Sequence, residues 1–326
     1  ANAARAEFAA VELATVAEVK KAYYQLRFIE QAIEITQADL QLLTQLRNVA
    51  ESRYRTGQTS QQDVLRAEVE MANIRHELIR LERQRTGARA KLASLLHLSP
   101  ETAISTTEPT DENLANDLAE LQARAVRNRP ELHAKLAALA ASRKAAQLAR
   151  LQYLPDVVLG ATWVAIDDAG ISPVRDGEDA FLLNVGVNLP IYRQRLEADV
   201  RSAEAEAVSK AKEYDALRDE TLRDVVDLVA DAQSKEELIR LFEVDILPKA
   251  RQTLEVSSQA YNVGQTDFLQ LIDNWRQLLR YEIAHRQLKT SLQQTLAELE
   301  RVVGGAVDTS AGVFEIEDVP VPALPE

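Results

Sequence analysis

Apolar residues recur at helical spacing along most of the chain, as in Leu26, Ile29 and Ile33 and again in Leu65, Val69, Leu78, Leu81 and Leu92. This three-to-four period marks one-sided burial on an α-helix. From Ala1 to Leu98 there is no proline, and Gly57 and Gly87 are the only glycines. The pattern predicts a helix of about 50 residues ending at Tyr54 and a second of about 35 after a turn. At ~1.5 Å per residue the first extends roughly 75 Å, far beyond an average globular helix. Such lengths point to a coiled coil, a solenoid or a tube. Ser99 to Asn128 breaks the pattern with Ser-Pro, Thr-Thr and Glu-Pro-Thr-Asp-Glu-Asn, which predicts a loop and then a short helix near Asp117–Arg127. Pro130 and Glu131 suit the first turn of a further helix, running to about Tyr153 and stopping before Pro155.

The period then changes from helical to two. Val157–Ile166 is a β-prone run containing Trp163, and Phe181–Leu189 alternates Phe181, Leu183, Val185, Val187 and Leu189 against Asn184, Gly186 and Asn188. A polar loop with Asp167, Asp168, Gly170, Pro173, Asp176 and Gly177 separates them. Two such strands predict a hairpin, which is marginal in water by itself and needs a partner surface. That surface is either a helix of the same chain or, since about ten residues suit a tilted barrel strand, a lipid bilayer. The helical pattern resumes from Arg195 to about Ala260, with an interruption expected at Leu247-Pro248. A last helix runs from Asp267 to Val303 and ends at Gly304-Gly305. The final twenty residues carry five acidic groups, no basic ones and three prolines, and read as a disordered or extended tail.

One stretch occurs twice. Tyr54-Arg55-Thr56-Gly57-Gln58-Thr59 reappears as Tyr261-Asn262-Val263-Gly264-Gln265-Thr266, each between two long helical patterns. Glycine supplies the positive φ that ends one helix, and a Thr or Ser hydroxyl serves the free N–H groups of the next. Each copy is therefore expected to be the tip of a helical hairpin. An offset of 207 residues, from Gly57 to Gly264, also aligns Leu81, Ala90 and Leu92 with Leu288, Ala297 and Leu299. A duplication of this size gives two similar halves, not a solenoid. Arg129–Val200 has no counterpart before the first copy, so the repeat predicts about 70 residues or more upstream of Ala1. The expected organisation is a first-repeat hairpin at 1–98, a linker at 99–128, a second repeat at 129–305 and an acidic tail at 306–326.

Composition narrows the functional classes. The net charge of −13 argues against a general nucleic-acid backbone binder. The absence of cysteine excludes disulfides and thiolate metal sites. No apolar run approaches the ~20 residues of a transmembrane helix, so any membrane crossing has to use β-strands. His76, His97, His133 and His285 are scattered, and His76-Glu77 lacks the second histidine of a zinc-protease helix. No serine-nucleophile motif, phosphate loop or dinucleotide fingerprint is present, and no enzyme, cofactor or metal is expected.

In this order the motifs resemble the TolC family of outer-membrane efflux proteins. The resemblance rests on Arg129-Pro130-Glu131-Leu132, Tyr153-Leu154-Pro155-Asp156 before the first strand, Asn188-Leu189-Pro190-Ile191-Tyr192 after the second, the paired tips, and Val303-Gly304-Gly305. It covers Ala1 to Gly305. It implies a mainly α fold with a small β part, in which long antiparallel helical hairpins form an α-barrel and β-hairpins contribute to a trimeric transmembrane β-barrel. It implies a homotrimer in the outer membrane, with helices in the periplasm. Its partners would be outer-membrane lipid, a periplasmic adaptor and an inner-membrane pump, and no nucleic acid. The implied function is a passive exit duct of a tripartite efflux or type I secretion system. A helical scaffold without a channel, or a periplasmic adaptor, are the alternative readings.

The resemblance places Gly57, Gln58, Thr59, Gly264, Gln265 and Thr266 against the adaptor; the same residues also suffice to make the turns. Just inside the tip it expects acidic residues that constrict the entrance. Gln270 and Asp273 occupy those positions, so the first acid is an amide here, with Asp63 as a contributor from the first copy. Three-fold repetition of Asp273 would bring like charges together around one axis, whereas a solvated helix face needs no such role. Tyr54 and Tyr261 would hydrogen-bond across helices near this closure, or pack.

Overall fold

The computed structural model describes residues 1–107, 117–166 and 179–306. Helix α1 (Asn2–Arg55) has 54 residues and α2 (Gln61–Leu95) has 35. They are followed by α3 (Leu118–Asn128), α4 (Pro130–Leu151), strands β1 (Asp156–Val164) and β2 (Ala180–Asn188), α5 (Arg193–Leu241), α6 (Leu247–Asn262) and α7 (Phe268–Val303). Asp117 caps α3 through its carboxylate, which accepts from the N–H of Ala119 and Glu120, and Pro130 opens α4. The expected polar loop between the strands and most of the acidic tail lie outside the described residues.

The described residues fall into two units. The first comprises Ala1–Ala6 and Glu131–Arg218 and contains the β-hairpin; all other described residues form the second. In the first unit, β1 and β2 pair antiparallel from Asp156↔Asn188 to Val164↔Ala180. That register puts Val157, Leu159, Ala161 and Trp163 on one face with Val187, Val185, Leu183 and Phe181. No other described element covers this apolar face, and Leu159 and Leu183 are 76% and 74% exposed. The reverse face carries Asn188, Gly186 and Asn184. At the far end the Trp163 indole donates to Asp179 Oδ2 at 3.0 Å, and Asp179 Oδ1 accepts from the Ile166 N–H at 3.1 Å. Helices α4 and α5 are joined by ion pairs Lys135–Glu213 (2.7 Å) and Arg150–Glu204 (2.6 Å).

The core of the second unit is shared by both helical hairpins. Leu43, Leu46 and Ala50 of α1, Val64 of α2, Leu254 of α6, and Phe268, Leu271 and Trp275 of α7 are buried together. Farther along, Leu121 and Ala125 of α3 pack with Val225 and Val229 of α5 and Leu299 and Val302 of α7. Lys20 of α1 pairs with Glu300 of α7 at 2.5 Å. The expected interruption at Leu247-Pro248 is found as a single wide turn just before it, a π-helical segment at Phe242–Ile246. Pro248 has no N–H to donate, and its ring crowds the preceding turn, so the ladder widens upstream while the helix axis continues.

The duplication is visible in the backbone. Helices α1 and α6 end at Arg55 and Asn262, and α2 and α7 begin at Gln61 and Phe268, each pair 207 residues apart.

Candidate functional site: the paired hairpin tips

Both tips close by the same two hydrogen bonds. Gly57 (φ 71°) donates to Tyr54 O at 2.9 Å and Gln58 to Arg53 O at 2.9 Å; Gly264 (φ 78°) donates to Tyr261 O at 3.0 Å and Gln265 to Ala260 O at 2.8 Å. This pairing satisfies carbonyls that the helix end leaves free, and it needs a left-handed residue at the glycine. The next helix is capped one position later than Thr59 and Thr266. Ser60 Oγ accepts from Gln62 N–H at 3.2 Å, and Asp267 Oδ1 accepts from Gln270 N–H at 2.7 Å. Thr59 is thereby released from capping, and its hydroxyl donates to Asp63 Oδ2. Gly57, Gln58, Gly264 and Gln265 are exposed, while Thr59 and Thr266 are half-buried.

Of the residues expected at a constriction, Asp63 and Tyr261 meet. The Tyr261 phenol donates to Asp63 Oδ2 at 3.2 Å, joining the second hairpin to the first. Tyr261 is buried against Phe268, ring centroids 5.3 Å apart. Burial pushes its pKa up to about 12 against the lowering effect of Thr59, with the Asp63 carboxylate adding to the rise, so the phenol keeps its proton and acts as donor. Tyr54, its counterpart in the first copy, is 43% exposed and takes no part. Gln270 bonds within its own helix, to Asn274 Oδ1 at 3.3 Å. Asp273 is exposed and accepts from Arg276 Nη1 at 2.9 Å, while Arg276 Nη2 reaches the buried Glu70 of α2.

Three participants are absent from the expected set. Arg53 of α1 donates through Nη1 to Tyr261 O and to Asn262 O (2.7 Å), with its guanidinium 4.9 Å from the Tyr261 ring centroid. Arg276 with Glu70 is the second cross-hairpin pair. The third lies deeper: Trp275 of α7, 1% exposed, donates its indole N–H to Asp39 Oδ1 of α1 at 2.9 Å. Burial pushes the Asp39 carboxyl up to about 6 despite this bond, and Glu282 adds to the rise. A signal for Asp39 was present, because it falls on the stripe Ile29, Ile33, Thr36, Asp39, Leu43, Leu46, Ala50 that α1 buries. Among the described residues no cluster of three or more His, Cys, Asp or Glu is arranged to hold a metal ion, and no helix is long and apolar enough to cross a membrane.

Comparison with known proteins places this geometry in a family. The model of the outer membrane efflux protein family matches residues 1–96 and 121–305. The pyoverdine export outer membrane protein OpmQ of Pseudomonas putida is 24% identical over 308 residues, covering 93% of this chain and 64% of the relative. The cobalt-zinc-cadmium resistance protein CzcC of Cupriavidus metallidurans is 21% identical over 305 residues, covering 92% and 70%. The chain thus spans under two thirds of the OpmQ length. Among solved structures, the outer membrane protein VceC of Vibrio cholerae superposes with a TM-score of 0.80 at 23% identity, covering 94% of this chain and 74% of that one. The open state of the Neisseria gonorrhoeae MtrE outer membrane channel gives 0.79 at 20%, covering 94% and 69%. Those likenesses establish the fold, and the family match over most of its length establishes that this chain belongs to the outer membrane efflux protein family.

Proposed function

We propose that this chain forms the exit duct of a tripartite efflux or type I secretion system: a passive homotrimeric channel, not an enzyme, in the outer membrane with its helices in the periplasm. The observation that carries this reading is the β-hairpin, whose wholly apolar face is left bare by every described element. Exposed apolar area of this kind is costly in water, and the two nine-residue strands fall within the roughly 9–11 residues that a tilted strand needs to cross the hydrocarbon. Trp163 and Phe181, paired at one end, suit the aromatic girdle at a membrane interface. The two helical repeats, 1–98 and 129–305, supply the tunnel wall. The tips Gly57–Thr59 and Gly264–Thr266 present backbone and amide groups to a periplasmic adaptor, and an inner-membrane pump supplies the energy.

In this reading the Tyr261–Asp63 bond is a latch that keeps the two tips of one protomer together in the closed duct. Asp273 and Gln270 face the entrance, the former with its charge partly neutralised by Arg276. A hydrogen bond to a carboxylate contributes about 1.5–3 kcal/mol, less where water competes. Tyr261→Phe removes the hydroxyl and keeps the ring, so the closed–open balance should shift toward open by about ten-fold. The test is to purify the full-length protein from outer membranes in detergent and record its conductance in planar bilayers. A trimer with low conductance that rises in Tyr261→Phe is the expected result. A chain that stays monomeric in aqueous buffer without detergent, with no conductance, would overturn the duct.

A further inference from the structure

The two tips share backbone geometry but not side-chain roles. Arg53 lies in the last turn of α1 and extends 208 residues along the sequence to the end of α6. There it meets two carbonyls, Tyr261 O and Asn262 O, in the last turn of α6, where the helix dipole concentrates negative partial charge. The same guanidinium sits at the face of the Tyr261 ring, favourable for a planar cation on an aromatic. The repeat partner of Arg53 is Ala260, so the second tip carries no equivalent arginine.

The glycines record the same asymmetry. A Cβ added at Gly57 would meet nothing within 4 Å, whereas one at Gly264 would lie 3.2 Å from Arg53 Nη2. Gly57 therefore serves the turn alone, and Gly264 serves both the turn and the approach of Arg53. Tyr261 is held at two points: its ring and carbonyl by Arg53, its hydroxyl by Asp63.

We propose that Arg53 is the positioning residue of the latch, clasping the carbonyl end of α6 and the face of Tyr261 so that the phenol rests on Asp63. This rests on the duct reading, and it adds that the phenol is held in place by a residue of the first hairpin.

The sequence has no cysteine, so spin labels can be placed at exposed positions through Gln61→Cys and Leu269→Cys in the full-length protein. Diluting with unlabelled protein restricts the reading to distances within one chain. Arg53→Met keeps the apolar stem and removes the fork. It should add a longer distance component and raise conductance several-fold, with Arg53→Lys between it and the parent. Gly264→Ala should resemble Arg53→Met, while Gly57→Ala should leave the distance as in the parent. In a Tyr261→Phe background, Arg53→Met should raise conductance no further, because both act on one bond. Full additivity, or an unchanged distance in Arg53→Met while Tyr261→Phe responds, would overturn the role given to Arg53 alone. If Tyr261→Phe and Asp63→Asn also leave distance and conductance unchanged, the latch itself falls.

Discussion

Asp39→Asn should raise the thermal stability of the protein at pH 7.5 and leave it almost unchanged at pH 4.5. Asp39 is a carboxylate 7% exposed in the wall between α1 and α7, with the Trp275 indole as its donor. Its pKa of about 6 in the folded chain stands above the ordinary 3.8 because burial penalises the charge more than one indole bond repays it. Between those two values the folded chain holds a proton that the unfolded chain has released. Stability from this group is therefore fully present below about pH 4, falls as pH rises through the window, and is flat above it. A shift of about two pH units corresponds to on the order of 3 kcal/mol, of which Asn, neutral and still able to accept from Trp275, should recover about 2. Comparing the thermal loss of helical circular dichroism in variant and parent at each pH cancels the titration of other carboxylates. A variant less stable than the parent at pH 7.5 would mean that the charged Asp39–Trp275 bond outweighs its own burial. Trp275→Phe should act in the opposite direction by stripping Asp39 of its donor, costing about 1–3 kcal/mol.

Asp39 also illustrates which features were readable in the sequence. Its place on the buried stripe was legible from spacing, but its partner was not. Trp275 lies 236 residues away, and only the azimuths of two helices in different hairpins bring the pair together. The same holds for Arg53 on α6 and Arg276 on Glu70. Charged residues in a helix-rich chain read as a solvated face until the packing fixes which of them point at a neighbour. Tyr54 and Tyr261 show the limit clearly, since tips that share the same Tyr, Gly, Gln and Thr positions leave one ring exposed and bury the other. Helix ends were legible because their causes are local: a glycine with positive φ at 57, 264 and 304, and Pro130 at a first turn. Pro248 also marked an irregularity, but the strain is absorbed upstream at Phe242–Ile246, where no residue type announces it. The strand pattern predicted an apolar face in need of a partner surface, and the structure adds that no described element covers it and the register that gathers its eight residues.

Gly304→Ala should destabilise the fold by about 2–4 kcal/mol, several times the cost of Gly57→Ala, although both glycines have positive φ. Gly304 (φ 84°) caps α7, with its N–H on Glu300 O at 3.0 Å. An L-residue in that conformation costs about 1 kcal/mol, and at Gly57 that is the whole expense because the space around it is open. At Gly304 a Cβ would lie 2.6 Å from both the carbonyl carbon and the oxygen of Asn128, and 2.9 Å from Arg129 N. Those are backbone atoms at the junction of α3 and α4, not the tip of a side chain that can swing away. The Arg129 side chain is in turn fixed to Thr221 Oγ1 at 2.7 Å. Relief requires either α7 or the end of α3 to withdraw, which pulls Leu121 and Ala125 off Val302 and Leu299. Overpacking of this kind adds about 1–3 kcal/mol to the backbone term. Equal shifts of the thermal midpoint for Gly57→Ala and Gly304→Ala would show that the contact with Asn128 yields freely. The expected inequality would make this close approach of α7 to the α3–α4 junction the reason why the second repeat needs glycine where its last helix ends.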